Sequence, residues 1–456
     1  MFKSRRRSYR KSYRQPFPLV WLLPTIPLVL IFLELAIRLI IGITGNSDEL
    51  AVYEGEPAIV TAYRLKFQGQ NQQPYDGLSD RGQLAVQRHL AGGYGLVGNQ
   101  KNQFWRINEQ GFRDDNPVPL KKPKGEIRIF LLGGSTAFGQ GNASNQATIA
   151  SKLEARLNER IAQQRRSPEK YRPAVLPFYK PDLIKALALP IPLQDGQYRV
   201  INAAVPGYTS GNELAQLALQ ILPYSPDAII VLNGYGDLML PSNKAITDIP
   251  NVDAFLNNSL GHFWTHLSRQ LKQSLSDSYL VKVPQYWIFH PQPSVSRLSL
   301  LATDETASLE RQLTTNSAEL ERRVARYREN HKRMVRLLAG SSIPLVIAVQ
   351  PEITGRGQAK LSSREQAILK ELSPAYRQQV QVGYAELAQA SEQLKKAFPK
   401  NVKTVNFYKV YESFPNQAFD DAIHLTEEGN ALLAERLYHS ITALPRIQVT
   451  PPKPPK

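Results

Sequence analysis

Apolar and polar positions divide the chain into three stretches of different rhythm. From Phe17 to Ile43 apolar residues run almost unbroken, with three prolines, Thr25, Glu34 and Arg38 as the main interruptions. A run of that length spans a bilayer core. Residues 44–124 are polar and turn-rich, with AGGYGLVGNQ, NEQGFRDDNPVP and KKPKG, and predict a juxtamembrane connector or subdomain. From 126 onward, short apolar runs alternate with amphipathic ones. Ile127, Ile129, Phe130, Leu131 and Leu132 form a nearly continuous run over 126–132, the mark of a strand buried on both faces. Ile149, Leu153, Leu157 and Ile161 recur at every fourth position and predict a helix over 146–164. Further strands are expected at 198–204, 228–232, 343–349 and 402–407, and helices at 211–222, 305–339 and 426–441. This alternation predicts an α/β fold, a parallel sheet covered by helices on both faces.

Two stretches break the alternation and read as insertions. Residues 165–197 are rich in proline, and 238–304 are dense in aromatics: Phe263, Trp264, Tyr279, Tyr286, Trp287 and Phe289. The second either lines a pocket or packs the small core of a lid. The organisation expected is a basic tail over 1–16, an anchor over 17–43, the connector over 44–124, the α/β domain over 125–445 and a Pro/Lys tail over 446–456.

Charge and composition narrow the partners. Of a net charge of +17 over 456 residues, a dense block sits at Lys3, Arg5, Arg6, Arg7, Arg10, Lys11 and Arg14, with no acid among them. Basic residues ahead of an apolar span predict a cytoplasmic N-terminus and a main domain exported to the periplasm or the cell exterior. A cleaved signal peptide is the rival; the length of the run and the lack of an A-x-A site favour a retained anchor. Glu34 and Arg38, four apart, can pair on one face of that helix. The absence of cysteine excludes disulfides, thiolate catalysis and Cys-ligated metal centres. No basic–aromatic block points to nucleic acid. The glycines of 92–98 lack the Gly-Lys-Ser/Thr ending of a phosphate loop. His262 and His266 are spaced to share a metal on a helix, but no third ligand is suggested nearby, so neither metal nor cofactor is expected. His331 lies on an apolar helical stripe and reads as core.

Three separated pieces carry chemistry. The strand over 126–132 runs into Gly133-Gly134-Ser135-Thr136, which puts Ser135 at the carboxyl end of a buried strand, where open α/β sheets hold reactive groups. A serine hydroxyl is a poor nucleophile until a base takes its proton, and the base needs a carboxylate to fix its tautomer. Asp421-Ala422-Ile423-His424, ahead of the last helix, offers both, because an Asp three residues before a His can fold back onto the imidazole. Gly207, in the turn after the second strand, offers a backbone N–H. Read singly, Ser135 is a helix cap, Asp421 an N-terminal helix acid and Gly207 a turn residue.

Taken in order, GGST after the first strand, Gly207 after the second, Gly234-Tyr235-Gly236-Asp237 after the third and Asp421-x-x-His424-Leu425-Thr426 near the end resemble the four blocks of the SGNH (GDSL-type) hydrolase superfamily. The flanks NEQGFRDD, INAAVPGYTS and DDAIHLTEEGN resemble its membrane-anchored bacterial members. That resemblance implies a flavodoxin-like three-layer fold with strand order 2-1-3-4-5, and ester hydrolysis or O-acyl transfer through an acyl-serine. It implies Ser135 as nucleophile, His424 as base, Asp421 as its partner, and the N–H groups of Ser135 and Gly207 as oxyanion donors. One position departs: the third block's Asn, a side-chain oxyanion donor, is Gly236 here. Asn233 lies at the same turn and is a candidate substitute, although it precedes the motif. Two function classes follow. One is an exported, anchored serine esterase or O-acyltransferase acting on acylated small molecules, envelope lipids or polysaccharides. The other is a non-catalytic glycan-binding or assembly protein on the same scaffold.

Overall fold

The computed structural model describes residues 22–45, 57–69, 71–73, 82–89, 92–244, 278–289 and 309–449. The basic tail, His262, Phe263, Trp264, His266 and the last seven residues lie outside the described residues. The chain divides into two units, Met1–Pro57 with Leu267–Gln292, and Ala58–His266 with Pro293–Lys456.

In the first unit, α1 (Leu22–Thr44) is a 23-residue helix. Its stretch Thr25–Thr44 is long and apolar enough to cross a membrane, and most of its apolar side chains are exposed, from Ile26 and Leu28 to Ile40 and Ile43, while Ile41 is buried. Pro27 lies inside the helix, where its missing N–H forgoes the bond to the Leu23 carbonyl. The same unit holds residues 279–289, an α-helix over Tyr279–Pro284 that continues as a π turn over Gln285–Phe289.

The second unit begins with α2 (Ala58–Tyr63) and a three-stranded sheet of β1 (Leu65–Phe67), β2 (Leu84–His89) and β3 (Gly93–Leu96), followed by the β4 (Gln100–Lys101)–β5 (Arg106–Ile107) pair. The polar stretch therefore has strands of its own, and Trp105, Ile107 and Phe112 join the main core. The main sheet contains β6 (Glu126–Gly133), β7 (Gln197–Asn202), β8 (Ala228–Asn233), β9 (Leu345–Val349) and β10 (Val402–Asn406). All pairings are parallel, in the order β10-β9-β8-β6-β7. Counted along the chain, the first of these strands lies between the second and the third. Every residue of β8 and β9 is buried, as the apolar runs 228–232 and 345–349 require, and Asn233 at the end of β8 is buried with them.

Further helices of this unit among the described residues are α3 (Ser135–Phe138), α4 (Ile149–Arg166), α5 (Lys180–Ala188), α6 (Ser210–Gln216), α7 (Tyr235–Met239), α8 (Ser317–Ala339), α9 (Ser363–Glu371), α10 (Pro374–Ala397) and α11 (Glu427–Thr442). They pack in two groups, α4 with α11, and α8 with α6 and α10. The stripe Ile149, Leu153, Leu157 and Ile161 is buried as its spacing requires, and the Thr148 hydroxyl caps α4 by accepting from Ser151 N. Three stretches differ from the sequence pattern. The expected irregular insertion contains α5, the 305–339 helix is split into Leu309–Gln312 and α8, and α9 and α10 fill a region with no strong periodic signal.

Candidate active site

The site starts from the end of β6. Gly133 has φ +153°, and a Cβ there would lie 2.3 Å from the Leu232 carbonyl oxygen, so only glycine lets the strand leave the sheet beside β8. The chain then turns into α3, whose first residue is Ser135. That helix ends after one turn at Gly139, in the left-handed region at φ 85°. Ser135 is 6% exposed, and among the described residues neither its hydroxyl nor its N–H is engaged in a hydrogen bond.

Ahead of α11, Asp421 and His424 are folded together by local geometry. One carboxylate oxygen of Asp421 accepts from the N–H groups of Ile423 (2.9 Å) and His424 (2.8 Å). The other lies 2.5 Å from His424 Nδ1. Burial alone would raise the Asp421 pKa, but the His424 charge and hydrogen bonds, with the two backbone donors, hold it below the usual aspartate value. A carboxylate that stays ionised here fixes the imidazole with a proton on Nδ1. Nε2 then carries no proton, and it is buried with no hydrogen-bond partner among the described residues.

Two clamps join the serine turn to the histidine loop. The Thr136 hydroxyl donates to the Ile423 carbonyl at 3.2 Å, and Asn142 Nδ2 donates to the Leu425 carbonyl at 3.1 Å. The residue after Ser135 is thus bonded to the residue before His424, and the far end of the same turn is bonded to the residue after it. Gln350, at the end of β9, donates to the Thr136 hydroxyl (2.9 Å), and Asn430 on α11 donates to Asn142 Oδ1 (2.9 Å). Ile353 N donates to the Ala422 carbonyl at 2.9 Å, anchoring the loop from a third side.

The Gly207 turn lies against this assembly. Gly207 has φ 83°, and its N–H also donates to no described group. The neighbouring Tyr208 carbonyl oxygen is 3.2 Å from where a Gly134 Cβ would sit and 3.1 Å from the same point at Gly236. The turns carrying Ser135, Gly207 and Gly236 therefore meet at one end of the sheet. A side chain at Gly236 would also meet Thr209 Cγ2 at 3.3 Å, so the glycine suits a close approach of the two turns. Asp237, beside it, accepts from the Ser210 hydroxyl (2.5 Å) and N–H (3.1 Å) and so secures the start of α6 behind Gly207. The Asn233 amide is turned into the interior, where it donates to Glu213 and lies 3.5 Å from His331 Nε2. His331 is fully buried, and burial lowers its pKa to about 4.

Several supporting residues had no role assigned in the sequence. Arg113, 3% exposed, donates to the carbonyls of Phe138 (3.0 Å) and Gly139 (2.7 Å), to Asn145 Oδ1 (2.9 Å) and to the Tyr63 hydroxyl (2.8 Å), fixing the end of the serine turn. The Tyr94 hydroxyl donates to the Pro206 carbonyl (2.7 Å), and the Tyr208 hydroxyl donates back to the Tyr94 carbonyl. The segment before β6 thus holds both the serine turn and the Gly207 turn. Val205 and Tyr208 also line a cavity of about 500 Å³ that they share with His89, Leu96, Glu109 and Gln220. Behind the histidine loop, the carboxylate of Glu352 accepts from Thr354 N (2.8 Å), the Thr354 hydroxyl and the Tyr376 hydroxyl (3.1 Å), and Tyr376 pairs with Tyr235 at 2.8 Å. Complete burial raises the Glu352 pKa to about 7, despite those three donors. No group of three or more potential metal ligands is present among the described residues.

No protein-family model matches the chain, and no curated protein sequence matches it. Among solved structures it is similar to a lipase/acylhydrolase from Enterococcus faecalis, at 16% identity and TM-score 0.34, over 69% of this chain and 95% of that one. It is also similar to a putative GDSL-like lipase from Parabacteroides merdae, at 12% identity and TM-score 0.34, over 72% and 100%. A putative lipolytic protein of the G-D-S-L family from Desulfitobacterium hafniense is similar at 12% identity and TM-score 0.31, over 69% and 99%.

Proposed function

We propose that the protein is a membrane-anchored, exported serine acyl hydrolase whose nucleophile is Ser135, general base His424 and orienting carboxylate Asp421. The observation that carries this reading is the state of the imidazole. Its Nδ1 is paired with Asp421 and its buried Nε2 is unpaired, in a loop clamped on both sides of His424 to the turn that bears Ser135. In the reaction, Nε2 takes the Ser135 proton as Oγ attacks the acyl carbon. The unengaged N–H groups of Ser135 and Gly207 stabilise the oxyanion. Collapse expels the alcohol, which takes its proton from the imidazolium. Water, activated by the same nitrogen, then releases the acid from the acyl-serine.

The ester of this reading is an acylated glycan or lipid of the envelope. If a glycan hydroxyl replaces water in the second step, the same site is an O-acyltransferase. With Gly236 lacking a side chain and Asn233 committed to Glu213, two backbone donors remain. A missing oxyanion donor costs about 10²–10³ in rate, so a slow enzyme is expected. The test is hydrolysis of chromogenic esters of increasing chain length, with and without an oligosaccharide acceptor. Turnover that disappears in Ser135→Ala supports the reading, and acceptor-dependent product assigns transfer. A folded wild-type protein inert to every ester, with or without acceptor, would favour the non-catalytic binding role.

A further inference from the structure

Glu34 sits near the middle of Thr25–Thr44, about 14–15 Å from either end at the helical rise of about 1.5 Å per residue. If α1 spans the bilayer, a carboxylate at that position lies at the depth where an ion is most costly. It is not left to lipid. It accepts from the Ser278 hydroxyl (2.7 Å), Tyr279 N (3.0 Å) and Leu280 N (3.1 Å), and from Arg38 Nε (2.7 Å) on its own helix. The guanidinium of Arg38 lies 4.7 Å from the Tyr279 ring centroid. Glu34 therefore satisfies the first N–H groups of the helix over 279–289, groups that no intrahelical partner can reach, and those groups neutralise it in return.

We propose that residues 278–289 are a second membrane element, a half-span docked on α1 through Glu34, whose occupied outer face is lipid. This rests on α1 being a membrane span. Eleven helical residues extend about 16 Å, half of a bilayer core of about 30 Å, so a segment that starts at the level of Glu34 reaches the interface. Its far end carries Tyr286 and Trp287, the residue types that settle at that boundary. Trp287 and Ile288 are 43% and 71% exposed, continuing the exposed apolar surface of α1. The segment's charged residue, Lys282, is buried away from that surface. The unsatisfied backbone at the start of a half-span is acceptable in hydrocarbon only where protein covers it, and Glu34 supplies that cover.

The cysteine-free sequence permits a direct test. Single cysteines are placed by Leu30→Cys on α1, Ile288→Cys on the half-span and Ser341→Cys on an exposed turn of the second unit. Each is labelled with an environment-sensitive fluorophore in the full chain and reconstituted into phosphatidylcholine vesicles with acyl-chain-brominated lipid. Bromine should quench the probes at 30 and 288 and spare the one at 341. In Glu34→Leu the quenching at 288 should be lost while that at 30 persists, and Glu34→Gln, which keeps an acceptor, should restore it. A probe at 288 reached by aqueous iodide and not by bromine, with 30 still quenched, overturns the half-span and leaves the anchor intact. Quenching at 288 that is indifferent to Glu34→Leu overturns the docking. Absence of quenching at 30 overturns the anchor itself, and the half-span with it.

Discussion

Glu352→Gln isolates the electrostatic cost stored behind the histidine loop. In the folded protein burial moves this carboxyl from 4.5 to about 7, while in the unfolded chain it titrates in the ordinary range. Between those two values the folded state keeps the proton and the unfolded chain releases it, so stability falls as the pH rises through that window. At about 1.4 kcal/mol per pH unit the full displacement amounts to about 3 kcal/mol, all of it lost above pH 7. Glutamine has the shape of the neutral acid: its oxygen accepts from Thr354 and its amide faces the Tyr376 hydroxyl. The variant should therefore match wild type at pH 5 and exceed it by about 2–3 kcal/mol at pH 8. Thermal unfolding of both proteins in one detergent, at several pH values, gives the comparison as a difference of differences. Glu213 and Asp237, also buried and raised by burial, cancel between the two proteins. A gap between variant and wild type that does not change with pH would refute the reasoning.

Other substitutions read the site itself. Asp421→Asn removes the charge that fixes the imidazole tautomer and should lower kcat about 10⁴-fold with the fold retained, as read by ester hydrolysis beside circular dichroism. Because Asp421 is held below the ordinary carboxylate range, the acid loss of kcat/KM should come from protonation of the imidazole base and not from the carboxylate; a profile flat from pH 5 to 8 would remove His424 as base. Arg113→Lys leaves the Phe138 and Gly139 carbonyls short of donors and should cost about 3 kcal/mol or more in thermal unfolding, with kcat falling alongside. Gly236→Ala pushes a methyl against the Tyr208 carbonyl and should destabilise by about 1–2 kcal/mol. Gly236→Asn, which adds a donor only by displacing that turn, should melt lower than wild type without a large gain in acylation rate.

What could be read from the sequence depended on whether the interaction leaves a pattern along the chain. β6, β8 and β9 are buried on both faces, so each stands out as an apolar run, and the observed Glu126–Gly133 and Ala228–Asn233 overlap the expected spans within a residue or two. The Asp421–His424 pair is equally visible, because three residues of spacing contain the whole geometry. Arg113 and Glu352 left no such trace: Arg113 bonds largely to main-chain carbonyls, and the partners of Glu352 belong to a turn and to a helix remote in sequence. Helix α10 was hidden because its buried stripe is broken by Gly383 and Ser391 and carries its volume in Tyr376 and Tyr384. The aromatics at 279–287 read as a pocket or lid. Only the fold shows that their helix begins on Glu34, a residue some 240 positions earlier.

The proposed chemistry needs one serine hydroxyl activated by one imidazole. Fluorophosphonate labelling of the intact protein, followed by peptide mass spectrometry, tests it most directly. A single adduct on Ser135 is expected, formed slowly at low pH and lost in His424→Ala. An adduct on any other serine, or none in a protein shown to be folded, would contradict it.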